Sequence, residues 1–361
     1  MIKKFVNIIG LMSGTSLDGI DISLTRTNGE ELINKENFYY KYNKKEKNKL
    51  LQILQDKFKI INNKKLLSKA DEFITKLHIK SINKFCFNKK FSIIGFHGQT
   101  IYHNAEKRIS LQLGDPILLS KTFKRKVVFD FRSIDLKSGG QGAPLAPIYH
   151  KFVIEKFKYK LPACIINIGG VANMTFWDGK NLIGFDTGPG NCLIDNFMKE
   201  KFKLDFDNNG EIARKGNVIN LLLKKILKNS YFLKKPPKSL DRDYFNEDLK
   251  KIINFNFNLE DILNTLTEIT ALSINNSFKF LPSEPKSIYI CGGGSKNKYL
   301  VDRINKIFKQ TEVKVITNHD TNFIESELMA YLAARRIYDL PITFPSTTGI
   351  KSPSTGGHIF F

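Results

Sequence analysis

Cysteine is scarce in this chain: four residues among 361, at Cys86, Cys164, Cys192 and Cys291. No two stand at the C-x-x-C spacing of zinc or redox sites, and nothing suggests a disulfide framework. Cys86, Cys164 and Cys291 sit in or beside apolar runs, where a thiol behaves as a small hydrophobe. A reducing compartment fits that usage. Long hydrophobic runs are missing too, since none reaches the ~18 residues of a membrane-spanning helix. The opening M-I-K-K-F-V-N-I-I-G-L-M gives way at once to Gly, Ser and Asp, too short for a signal peptide. The expectation is a cytoplasmic protein with no membrane partner.

Acidic residues are few beside basic ones: 35 Asp+Glu against 57 Lys+Arg, a formal net charge of +22. Such a balance invites a nucleic-acid reading. The excess, however, is spread over separate patches at 43–49, 57–65, 121–126 and 224–235. No zinc finger, RNA-binding signature or basic heptad helix accompanies it, so no nucleic-acid partner is expected. Familiar nucleotide and hydrolase signatures are absent as well: no G-x-x-x-x-G-K-[ST], no G-x-G-x-x-G, no G-x-S-x-G. His78, His103 and His150 lack metal-ligand spacing.

What is present is an α/β pattern. At 42% hydrophobic residues the chain can bury a sizeable core, and its length suits about two domains. Residues 6–12 predict a buried strand, 20–27 its hairpin partner and 37–42 a third strand. Lysine-rich helices follow at 44–57 and 64–86, then a strand at 91–96, a ribbon over 100–113, a helix at 115–124 and a strand at 126–130. The second half repeats the plan. Strands at 163–168, 171–177 and 181–185 include an Asp178-Gly179 turn, a strong hairpin signal. A helix opens near Asn191, and helices follow at 217–228, 243–253 and 259–279. Then come strand 286–291, helix 297–309, strand 312–316 and helix 324–338. Two β-β-β-α-β-α copies imply a duplicated topology, and two such halves would meet at a cleft suited to a ligand. The expected domains are 1–135 and 136–340, with the break at S-G-G-Q-G-A-P in 131–143. Residues 341–361 read as an ordered tail that packs back on the first domain, or as a frayed terminus.

Polar and glycine residues gather at the strand ends. The loop G-L-M-S-G-T-S-L-D-G-I-D, residues 10–21, offers backbone N–H groups and hydroxyls to a phosphate. Its Asp18 could hold Mg²⁺ through water. A plain hairpin explains the same residues. N-I-G-G-V-A-N-M-T, with Gly169, Gly170 and Asn173, occupies the equivalent place in the other half. C-G-G-G-S-K-N, with Gly292, Gly293 and Gly294, leaves backbone open to a flat adenine or its ribose. In G-F-D-T-G-P-G-N, Asp186 at a strand end suits a general base, or else caps the next helix. His97, Gln99 and Thr100 end another strand. Arg132 could take a substrate carboxylate bidentately, or pair with Asp130 or Asp135.

Together these stretches, with F-H-G-Q-T, L-Q-L-G-D, V-V-F-D-F-R, G-G-Q-G-A-P-L-A-P and E-S-E-L-M-A-Y-L-A, resemble the anhydro-N-acetylmuramic acid kinase family. That family belongs to the actin/hexokinase/Hsp70-type ATPases. The match runs over residues 10–333. The resemblance implies two actin-like, ribonuclease-H-like domains around an ATP and sugar cleft. It implies ATP and Mg²⁺ as cofactors. The implied reaction is water opening the 1,6-anhydro ring while O6 takes the γ-phosphate, in peptidoglycan recycling. Gly14, Thr15, Ser16, Leu17, Asp18, Gly19, Ile20 and Asp21 match the ATP-binding stretch, and Asp186 the general base. Glu325 matches a glutamate placed near the active site. A second acid, Glu327, stands where the family has a small or apolar residue. A homodimer remains open, as do a plain hexose or N-acetylhexosamine kinase and a catalytically idle ATP-binding scaffold.

Overall fold

The structure is a computed structural model and describes residues 3–14, 17–86, 88–253, 257–309, 311–316 and 323–361. Its strands in chain order are β1 (Val6–Ser13), β2 (Gly19–Thr27), β3 (Leu32–Lys41), β4 (Ile93–Asn104), β5 (Ile109–Leu113) and β6 (Lys126–Phe129). They continue as β7 (Ala163–Ile168), β8 (Val171–Trp177), β9 (Leu182–Pro189), β10 (Ser287–Cys291), β11 (Glu312–Val315) and β12 (His358–Phe360). Two compact units result. The first joins Met1–Phe152 to Asn322–Phe361, and the second is Val153–Thr321.

In the first unit the sheet order is β12-β6-β4-β1-β2-β3, with β5 paired to β4. β1, β4 and β6 are parallel, while β2, β3 and β12 run antiparallel to their neighbours. Central β1 is apolar along most of its length because both faces are covered. Successive side chains alternate between those faces. Ile9, Leu11, Ile94 and Phe96 join Ile74, Leu77 and Ile82 of the helix Lys64–Phe85 in one core cluster. The lysine-rich helix is therefore a core element whose lysines line its outer side. On the other face lies the helix Ile324–Ile337, packed against β1, β2 and β4. Gly10 is what permits it: a Cβ there would stand 1.8 Å from the Ser326 carbonyl oxygen.

The division of the chain differs from the one expected at residue 135. Buried Asp135 accepts hydrogen bonds from the Gly142 N–H (2.7 Å) and the Thr348 hydroxyl (2.6 Å). The Gln141 N–H donates to the Thr348 carbonyl (2.7 Å). The S-G-G-Q-G turn is thus stitched into the first unit together with the tail, whose β12 pairs with β6. Periodicity breaks there because of a tight turn, not a linker.

The second unit carries the order β11-β10-β7-β8-β9. Its directions repeat β6-β4-β1-β2-β3 strand for strand: two parallel pairings, then two antiparallel ones. Cys164, Ile166, Met174, Phe176, Phe185, Ile288 and Ile290 form its core. The helices Leu259–Ser277 and Lys298–Ile307 add Ala271, Ile274, Leu300 and Ile304. The duplicated topology expected from the sequence is present in both sheets. Among the described residues no helix is long and apolar enough to cross a membrane.

Candidate active site

Register builds the second unit's polar row. Asn167 on β7 pairs with Asn173 on β8, and Asn173 pairs with Asp186 on β9. Residues directly opposite in antiparallel strands share a face, so one amide–amide–carboxylate row crosses three strands. A bulge between Ala172 and Asn173 sets its alignment. The Asn173 Oδ1 is buried and has no hydrogen-bond partner among the described residues. Asn167 was not singled out from the sequence, and only strand register reveals it.

Asp186 lies inside β9 rather than at its end, as had been expected. Its exposure is 6%. The Leu240 N–H donates to Oδ2 (2.8 Å), the Asp186 N–H donates to the Lys238 carbonyl (3.1 Å), and the Tyr231 hydroxyl donates to the Asp186 carbonyl (2.7 Å). The Leu240 bond ties the carboxylate to a segment distant along the chain, and the Asn191 N-cap of the helix Cys192–Phe197 makes no side-chain capping bond. Beside it, the Gly169 and Gly170 carbonyls accept from the N–H groups of Asn191 (2.8 Å), Gly190 (2.9 Å) and Cys192 (3.0 Å). This fixes the glycine turn against the start of that helix.

The third glycine turn follows β10. Gly292 has φ +80, and a Cβ on it would lie 2.3 Å from Asn167 Oδ1. Gly294 lies as tightly on Ile168, whereas Gly293 is exposed, with nothing nearer than Asn191 Nδ2 at 3.8 Å.

In the first unit the loop between β1 and β2 carries Gly14, Leu17, Asp18, Gly19, Ile20 and Asp21. Thr15 and Ser16 lie outside the described residues. Leu17 is buried with φ +57, and its N–H reaches the Gly14 carbonyl at 3.4 Å. Met12, Asp21 and Tyr39 stand in register across β1, β2 and β3. They hold the place that Asn167, Asn173 and Asp186 hold in the duplicate. Burial, then the charges of Asp18 and Asp21, push the Tyr39 phenol well above its ordinary range. Two carboxylates near one phenol make a local acidic field, which fits a hard cation that keeps part of its water shell. No cluster of three or more His, Cys, Asp and Glu able to hold a metal occurs among the described residues.

His97, Gln99 and Arg132 come together beside that loop. Gln99 donates to the Gly14 carbonyl (3.3 Å), and its own Oε1 is buried without a partner among the described residues. His97 Nδ1 is 3.0 Å from the Gly98 carbonyl, and its Nε2 accepts from Arg132 Nε (3.2 Å) and Nη2 (3.1 Å). Burial, helped by Arg132, lowers the His97 pKa to about 3, so the ring is a neutral acceptor. Arg132 Nη1 holds the Gly142 carbonyl (2.7 Å). Asp130 and Asp135 bond to Ser133 and to Gly142 instead. Thr100 accepts from Gln112 (3.3 Å), away from this group. Glu325 is half-buried in the first turn of the helix Ile324–Ile337. The unexpected Glu327 is a buried structural acid that accepts from Tyr149 (2.5 Å) and Asn34 (2.6 Å).

A family model described as anhydro-N-acetylmuramic acid kinase matches residues 6–361. Relatives of that name include one from Pelagibacter ubique, 40% identical over 98% of this chain and 98% of its own length. Another, from Zymomonas mobilis, is 38% identical over 98% and 99%, and one from Methylorubrum populi is 36% identical over 97% of each. Matches this long take in both sheets, every glycine turn and Asp186, and the chain belongs to the anhydro-N-acetylmuramic acid kinase family.

Proposed function

We propose that the chain opens the 1,6-anhydro ring of anhydro-N-acetylmuramic acid with water and transfers the γ-phosphate of ATP to the freed O6. The products are N-acetylmuramic acid 6-phosphate and ADP, and the setting is cytoplasmic reclamation of cell-wall sugar. The observation that carries the reading is Asp186: a buried acid held through its backbone N–H, its carbonyl and one carboxylate oxygen, and aligned with two amides. Such a group can take a proton from water at a set position. Asp186 removes that proton as the water oxygen bonds to the anomeric carbon. The bond from that carbon to O6 breaks, its electron pair goes to O6, O6 bonds to phosphorus, and ADP departs with the old bridging pair.

Asn167 and Asn173 orient water or sugar hydroxyls from the same face. In the second unit the turn at Gly169 and Gly170 and the bare peptide at Gly293 bind ATP. Gly292 and Gly294 give that peptide its shape. In the first unit His97 is kept neutral by burial and Arg132, and Gln99 Oε1 is a buried acceptor without a partner among the described residues. Asp18 and Asp21 would hold Mg²⁺ through water, and the ion supplies neutralisation of phosphate charge.

The test is Asp186→Asn with ATP and the anhydro sugar. Isothermal titration should show unchanged ATP binding, and turnover should fall by at least ~10²-fold, the scale of a lost general base. Turnover near that of the unaltered protein would remove Asp186 from the chemistry.

A further inference from the structure

One buried cation near Asp186 has no part in the chemistry above. Lys238 is 1% exposed. Its ammonium donates to the Tyr231 carbonyl (3.1 Å) and lies 4.5, 5.1 and 5.9 Å from the ring centres of Tyr231, Phe280 and Phe185. A methionine or leucine would fill such an aromatic cage without the penalty of burying a charge. What the cation adds lies in the segment it fastens. Within 231–240, the Tyr231 hydroxyl holds the Asp186 carbonyl, the Lys238 carbonyl takes the Asp186 N–H, and the Leu240 N–H takes Asp186 Oδ2. The Lys238 side chain ties the two ends of this strap together by bonding to Tyr231.

We propose that Lys238 is a positioning residue for Asp186: it locks the 231–240 strap around the base and sets a positive charge within Coulombic reach of the carboxylate. The groups facing Lys238 are Asp186 on β9, Tyr231 and Lys234 on the strap, and Lys279 in the turn Phe278–Phe280. Asp186 is the attractive charge among them. Burial, then Lys279, draws the ammonium down to about 8, with Asp186 opposing, so it is charged at neutral pH. The strap also explains why the base belongs in mid-strand. Its peptide bonds complete what β8 pairing leaves open, and a lysine anchored in aromatic rings resists the swing of a carboxylate between rotamers.

The inference rests on the reading of Asp186 as general base, and three variants separate the two ideas. Lys238→Met keeps volume and loses both charge and donor. Lys238→Gln removes the charge and shortens the side chain but keeps an N–H donor to turn toward the Tyr231 carbonyl. Asp186→Asn tests the base itself. With ATP, Mg²⁺ and the anhydro sugar, Lys238→Met should keep its KM for ATP within about twofold. Its kcat should fall about 10–100-fold, the scale of a small misplacement of a reacting group. The acid limb of its kcat profile should move up by about one pH unit, as expected when an opposite charge is removed from a carboxylate. Lys238→Gln should show the same displacement with a smaller loss of kcat.

Unaltered kcat and acid limb in Lys238→Met, beside an inactive Asp186→Asn, overturn the proposal and leave the base assignment standing. An active Asp186→Asn overturns the base assignment and the proposal with it. If neither Lys238 variant gives a cooperative melting transition, the lysine serves stability alone and the proposal falls.

Discussion

Asn167 is set by a neighbour without a side chain. Gly292 crosses directly over its Oδ1 at a positive φ, so the third glycine turn both opens backbone to a ligand and makes room for the polar row. Gly292→Ala should therefore destabilise the fold by about 1–3 kcal/mol through left-handed strain and the clash. Gly293→Ala, with open space at its Cβ, should leave stability within ~0.5 kcal/mol and instead raise the KM for ATP. Urea unfolding and initial rates on the two variants check this pair. Equal stability loss at both positions would deny the division of labour. The glycine run itself was legible in the sequence, because Gly-Gly-Gly after an apolar strand has few other uses. Asn167 was not, since 167, 173 and 186 become neighbours only through strand register. Lys238 was hidden for a similar reason: it lies in a lysine-rich stretch where composition predicts exposure.

At the scale of elements, the hydrophobic period placed the central strands and most of the helices well. It failed where a partner is distant along the chain. The helix Ile324–Ile337 follows the second unit in sequence, yet it packs on β1, β2 and β4 of the first. No local pattern announces that, but Gly10 and Gly95 do so in retrospect. A Cβ on Gly95 would meet the Met329 carbonyl oxygen at 2.4 Å, as one on Gly10 would meet Ser326 at 1.8 Å. These clashes are with backbone, which a rotamer change cannot relieve. Gly10→Ala should push the helix off the sheet, with a loss of about 1–3 kcal/mol, typical of overpacking. Because Glu325 rides on the first turn of that helix, kcat should fall as well. Urea unfolding and steady-state rates on the same preparation check both effects. Unchanged stability in Gly10→Ala would mean that the helix is not seated as closely as the structure shows.

The whole molecule should respond to acid unevenly, because the titrating groups of its two units have opposite signs. In the first unit His78 is wholly buried against Phe96, at 5.0 Å between rings, and burial lowers its pKa to about 4. His97 is lowered to about 3 by burial and Arg132. In the unfolded chain each takes a proton near pH 6.5 that the fold refuses. Their contribution is intact above about 6.5. It then falls by about 1.4 kcal/mol per pH unit for each histidine down toward its folded pKa. Asp71, raised by burial, opposes them in part. The described residues of the second unit contain no histidine. There Asp195 is raised to about 6 by burial, against Lys199 and Arg242. The folded form therefore binds its proton earlier than the unfolded one, and the second unit gains stability between about pH 6 and 4. Trp177, the single tryptophan, sits on β8 and reports the second unit alone. Between pH 6.5 and 4.5, urea curves followed by circular dichroism should split, with an early transition that moves to lower urea as pH falls. The tryptophan transition should hold its place or move the other way. His78→Leu should reduce the pH slope of the early transition by about 1.4 kcal/mol per unit, the share of one histidine. Coincident transitions that slide together, with the same slope in His78→Leu, would show that acid acts on the molecule through other groups.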